Sequence, residues 1–184
     1  MRLRLMEATV ECLVELGWTG TTTTVVSQRA GVSRGAQLHH FPSKQDLVVA
    51  AVEHLTERRR LELAQSAADL PAEGRTRAAL DLIAAQYVSP VFFAALELWV
   101  AARTDAVLRD AVVPLERRFG RDAHAYTVAL LGVDESRGRN RQHVQATLDL
   151  ARGLGLAASL TDDSARRASI LDAWADTLDR ELET

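Results

Sequence analysis

Cys12 is the only cysteine in the chain, so an internal disulfide and a multi-thiolate metal cage are both excluded. Aromatic residues make up only 5%. Alternating β-branched runs are nearly missing, which argues against sandwiches and barrels. No apolar run reaches the roughly 20 residues that a membrane span needs, and no signal-peptide pattern opens the chain. There is no Gly-rich phosphate loop, no GxSxG, no HExxH and no cysteine pair, so no catalytic residue, metal ligand or cofactor is assigned. His39-His40 is set aside as a metal pair because adjacent residues on a helix point apart. Glu97 and Asp105 offer no geometry for paired carboxylates. Neither an internal repeat nor a low-complexity segment occurs. These absences leave a cytoplasmic protein with no membrane partner that is not an enzyme.

Helix-forming Ala, Leu, Arg and Glu dominate what is present, and 47% of the 184 residues are hydrophobic. An all-α chain with one core or two small ones follows. The net charge is −3, but it is unevenly spread: residues 1–60 hold eight basic and six acidic side chains, leaving the remainder net −5. A mildly basic head on an acidic body suits a nucleic-acid reader.

Residues 22–47 read TTTVVSQRAGVSRGAQLHHFPSKQDL. Thr23 is a candidate N-cap for a short helix whose apolar positions are Val26 and Ala30. Gly31 ends it, and Val32 plugs the turn. Ser33 caps a second short helix that runs to His40, where Pro42 stops it. Ser43 caps the next. Two short helices joined by a Gly-containing turn make a helix-turn-helix, whose second helix can enter the major groove of DNA. Arg34, at its start, has the fork to take guanine O6 and N7 together, or to hold a phosphate. Gln37 can pair with adenine or contact the backbone. Gly35 lets the helix come close.

Elsewhere the spacing predicts a first helix over 3–16, ended by Gly17, with Cys12 on its buried face. A long helix follows from Ser43 to about Ala68, on which Arg58-Arg59-Arg60 reads as a solvated face. After the DLPAEG loop come helices at Arg75–Val88, from Pro90, and from Asp105 to about Leu131. Pro114 predicts a kink or break in the last of these. The final two helices, 142–160 and 164–182, carry surplus apolar stripes. Val144, Leu148, Ala151 and Gly155 form one, with Thr147, Leu150, Leu154 and Ala158 beside it; Leu171, Trp174 and Leu178 lie on the second helix. Such surplus faces at a chain end point to a four-helix interface in a homodimer; closure of the subunit's own core is the alternative.

The head resembles the DNA-binding motif of the tetracycline-repressor (TetR) family of bacterial transcription regulators. The likeness rests on Thr22, Val26, AGVS at 30–33, Arg34-Gly35, HFPSK at 40–44 and Leu47. It covers roughly the first third of the chain. The stretch ALELWVAARTD, ending at Asp105, is similar to one subgroup's regulatory domain. The resemblance implies a three-helix helix-turn-helix domain at 1–47 and a helical ligand-binding and dimerisation domain at 48–184. It makes Thr24 a candidate base contact, and Thr23, Ser33, His39 and Lys44 candidate phosphate contacts. It also implies a ligand-responsive regulator, a repressor by default, that binds an inverted-repeat operator in double-stranded DNA and is released by a small, largely apolar effector. Tyr87, Phe92, Phe93, Leu96, Trp99, Phe119 and Tyr126 are candidates to line the effector's cavity, and Gln86, Arg103 and His124 to orient it. Leu38 stands where the family usually has Tyr, and Ala36 where it has Thr, so two backbone-anchoring hydroxyls are gone. That departure, with only Arg2 and Arg4 ahead of the first helix, feeds an alternative: a helical protein-interaction or small-molecule-sequestering protein that no longer binds DNA specifically.

Overall fold

The computed structural model describes the backbone of residues 1–68 and 70–182, and the side chains of these except 59–68. Among the described residues there are nine α-helices and no strand. They are α1 (Arg2–Gly20), α2 (Thr23–Ala30), α3 (Arg34–His40), α4 (Lys44–Ala68), α5 (Arg75–Gln86), α6 (Pro90–Ala102), α7 (Ala106–Leu131), α8 (Asn140–Ala157) and α9 (Ser164–Glu181). No single one of the described helices is long and apolar enough to cross a membrane. The chain divides into two compact units, Met1–Arg60 with Pro90–Phe119, and Leu61–Ser89 with Gly120–Thr184.

The first unit is the head plus α6 and the beginning of α7. Its core takes Leu5, Cys12 and Leu13 from α1, Val26 from α2, Phe41 from the end of α3, and Leu47, Val48, Ala51 and Val52 from α4. Ala94, Leu98 and Ala102 of α6, and Leu108, Val112 and Leu115 of α7, complete it. This cut differs from the expected 1–47 and 48–184, because α6 shares the head's apolar core. The alanines of α6 keep that helix thin enough to lie along α1. Cys12 is fully buried, as its place in the apolar spacing implies, and burial pushes its thiol pKa up, with Arg29 partly opposing the shift.

Gly17 breaks α1 at the expected place, and a single further turn follows it to Gly20. Its φ of 66° and ψ of −176° lie in a region essentially closed to residues with a Cβ. The Trp18 amide then donates to Glu97 Oε2 of α6 at 2.8 Å. On its other side Trp18 meets α4: Lys44 Nζ donates to the Trp18 carbonyl and sits 3.6 Å from the centroid of its ring. Asp105 Oδ1 accepts from the Leu108 amide at 3.0 Å and caps α7. That helix runs on with Pro114 inside it rather than dividing into two. Arg58 is exposed, with Nη1 3.8 Å from Glu7 Oε1; Arg59 and Arg60 lie outside the described side chains.

In the second unit α5 packs against both α8 and α9. The interface expected from the apolar stripes is corrected here. Val144, Leu148, Ala151 and Gly155 are buried within the subunit, and so are Leu171 and Leu178. Trp174 is half-buried, with Nε1 donating to Thr147 Oγ1 at 2.9 Å. The first stripe of α8 faces inward because the helix has two neighbours to cover, α5 and α9; on the second, Thr147 and Leu154 are buried and Leu150 and Ala158 half-buried. Gly155 is the tightest point, where the Tyr87 carbonyl lies against the helix.

Candidate nucleic-acid interface

Each turn of the head is held by a local hydrogen bond that its sequence supplies. Thr22, not Thr23, caps α2, accepting from the Val25 amide at 3.2 Å. Gly31 ends α2 in a left-handed conformation. Ser33 Oγ accepts from the Ala36 amide at 3.3 Å and opens α3. After Pro42, Ser43 Oγ accepts from the Asp46 amide at 3.0 Å and donates to Asp46 Oδ2 at 2.7 Å, a reciprocal cap on α4. Arg29 of α2 is tied back to α1 through Glu15, 2.6 Å away.

The short α3 therefore has a fixed inner and outer face. Arg34, Gly35, Leu38 and His39 are exposed. A Cβ placed on Gly35 would meet nothing within 4 Å, so the helix surface is open there. Thr24 and Ser33 are exposed as well, and Ser33 still has a hydroxyl proton to give to a phosphate. The rings of His39 and His40 do not diverge; they meet edge to face with centroids 5.4 Å apart. No group of three or more His, Cys, Asp or Glu that could hold a metal occurs among the described residues.

One of the expected DNA contacts, Gln37, is corrected, and two others, Lys44 and Thr23, are half-buried. Gln37 is fully buried, with Nε2 donating to the Phe41 carbonyl at 2.9 Å, and cannot reach a base. Spacing from Arg34 does not foretell this, since residues three apart lie on adjoining parts of one face; the packing of the short α3 on the head's core turns Gln37 inward. Lys44 is committed to Trp18, and burial lowers its pKa. Thr23 is half-buried just inside the helix and leaves the capping role to Thr22.

Gln37 Oε1 has no hydrogen-bond partner although it is buried, so Gln37 carries an uncompensated desolvation cost. Gln37→Leu removes that orphan but also the donor held by the Phe41 carbonyl, so the two opposing contributions of about 1 kcal/mol should nearly cancel. A urea unfolding midpoint well below that of the parent protein would show that Oε1 is satisfied in solution.

The expected pocket residues fall in different units. In the first, Phe92 is buried and its ring stands 5.6 Å from Phe93 and 6.1 Å from Trp99. Leu96 and Phe119 are half-buried, the latter under the Arg118 guanidinium; Arg103 is exposed. In the second, Tyr87 is buried beside Arg152, and burial raises its phenol pKa. Tyr126 is half-buried. Gln86 Nε2 is engaged by the Leu82 carbonyl at 3.1 Å. Both ring nitrogens of His124 are occupied, one by Glu135 and the other by Gln145. His124 thereby ties the 132–139 loop to α7 and α8, a role its sequence position did not announce.

A helix-turn-helix with an open outer face, carried in an all-α chain, defines a DNA-binding transcriptional regulator. Residues 5–51 match the family model of bacterial regulatory proteins of the tetR family. The HTH-type transcriptional regulator CymR of Pseudomonas putida is 34% identical over 89% of this chain and 81% of its own length. A transcriptional regulator from Rhodococcus sp. Rha1 has a similar fold, with a TM-score of 0.75 at 21% identity over 100% of this chain and 98% of that one. FadR from Bacillus subtilis, solved in complex with stearoyl-CoA, aligns with a TM-score of 0.69 at 13% identity over 97% of each chain. The chain belongs to the tetR family of bacterial regulatory proteins.

Proposed function

We propose that the protein is a cytoplasmic repressor, working as a homodimer on an inverted-repeat operator in double-stranded DNA and released by a small, largely apolar effector. The observation that carries this reading is the outer face of α3, where Arg34 projects beside an unobstructed Gly35. Residues 1–47 would act as the DNA-binding head and 48–184 as the regulatory body. Thr23, Thr24, Ser33, His39 and Lys44 stay as candidate contacts beside Arg34, while Gln37 drops out. With most of the stripe residues of α8 and α9 buried inside the subunit, the dimer contact moves to their outer faces. These display Ala146, Gly153, Leu156 and Ala157, and Ala165, Ala168 and Ala173. The aromatic group Phe92, Phe93 and Trp99 suits an apolar effector, and the FadR complex with stearoyl-CoA supports that class of molecule. Relatives named as transcriptional regulators support a reading without catalysis.

Arg34→Ala tests the reading surface. Specific binding should weaken by about 1–3 kcal/mol, at least fivefold, while binding to unrelated duplex at the same salt changes little. Equal losses on both duplexes would reduce Arg34 to a phosphate contact.

A further inference from the structure

The outer face of α3 carries one apolar side chain. Leu38 is 44% exposed, whereas the polar Gln37 beside it is fully buried. This inverts the usual arrangement and places an unburied leucine on the surface proposed to meet DNA. Leucine cannot hold a phosphate by hydrogen bonding. A major groove offers such a side chain one apolar partner among the base edges, the C5 methyl of thymine.

The position along the helix fits that partner. Arg34 and Leu38 are four residues apart and share a face. They are separated by about 6 Å along the axis, close to two steps of roughly 3.4 Å along a DNA strand. Gly35 presents no side chain in the same stretch and nothing lies within 4 Å of where its Cβ would be, so the backbone can approach the bases. Leu38 is absent from the hydrophobic core that Val26, Phe41 and Leu47 form. Its exposed surface is not consumed by packing.

We propose that Leu38 is a specificity-determining residue that reads a thymine methyl, within about two base pairs of the guanine taken by Arg34. This rests on α3 entering the major groove, as proposed above.

The test begins with a random-sequence duplex pool enriched by the full-length protein. Each thymine of the enriched half-site is then replaced in turn by deoxyuridine, which removes only the methyl group. Binding of the parent protein and of Leu38→Ala is compared by fluorescence anisotropy, with circular dichroism confirming that the variant folds. We expect one thymine whose replacement weakens the parent protein about fourfold, the worth of one buried methyl-sized group. The same replacement should leave Leu38→Ala unaffected. An enriched site with no methyl-sensitive thymine, or an equal loss in both proteins, overturns the role of Leu38 while leaving DNA reading by α3 intact. A pool that yields no enriched sequence overturns the DNA reading itself, and Leu38 with it.

Discussion

Gly155→Ala is expected to lower the thermal unfolding midpoint by about 6–12 °C, corresponding to a loss of about 3 kcal/mol. A Cβ at this position would lie 2.2 Å from the Tyr87 carbonyl oxygen and 2.7 Å from the Tyr87 Cβ. Backbone atoms cannot rotate away as a flexible side chain can, so relief requires α8 to part from the end of α5. The neighbouring Gly153 supplies the control. It lies on the same helix, exposed, with nothing within 4 Å of its would-be Cβ. There alanine should stabilise the helix by about 0.5–1 kcal/mol through lower chain entropy in the unfolded state. The two substitutions are the same in chemistry and opposite in predicted sign. A Gly155→Ala protein that melts with the parent would mean that α5 and α8 are not in contact at this point in solution.

Gly17→Ala is the second large effect, and it arises from the backbone. With φ at 66° and ψ at −176°, the residue occupies a conformation that alanine adopts only under strain of about 1–3 kcal/mol. The added Cβ would also come within 2.9 Å of Glu97 Oε2. That carboxylate must then move, giving up the Trp18 amide and a further contribution of about 1 kcal/mol. The combined loss, about 3 kcal/mol, should appear as a midpoint lower by about 6–12 °C. Glu97→Ala isolates the second part and should cost only about 1 kcal/mol. If Glu97→Ala proves as damaging as Gly17→Ala, backbone strain is not the cause. Unchanged melting in both would refute the Gly17 turn.

The contrast between these glycines bears on what the sequence could convey. Gly17 was legible as a helix end, because glycine after an apolar periodic run has one common meaning. Gly155 was not: it sits within a helical stripe and reads as one more small apolar position until α5 is found against it. The same limit governs the stripes of α8. Periodicity identified Val144, Leu148 and Ala151 as buried, but it carries no information on whether the covering surface is a second subunit or α5 and α9 of the same chain. At the DNA face, caps were readable from local chemistry. Ser33 and Ser43 act where their spacing puts them, and the capping role of Thr23 fell one residue away on Thr22. Gln37 was misplaced for a different reason. Residue type suggested recognition, while the packing of α3 on the head's core decided where the side chain went. His124 met the same fate, since its partner Glu135 lies in a loop whose path no periodic pattern records.

One residue, Trp18, links three helices of the first unit. The amide of Trp18 is held by α6 through Glu97, and its carbonyl by the first residue of α4 through Lys44. A translation of α6 that keeps the Glu97 bond drags the tail of α1 with it, and that tail in turn pulls on the root of α4. Through its backbone Trp18 thus acts as a rivet between α4 and α6, on the same α1 against which the reading helix packs.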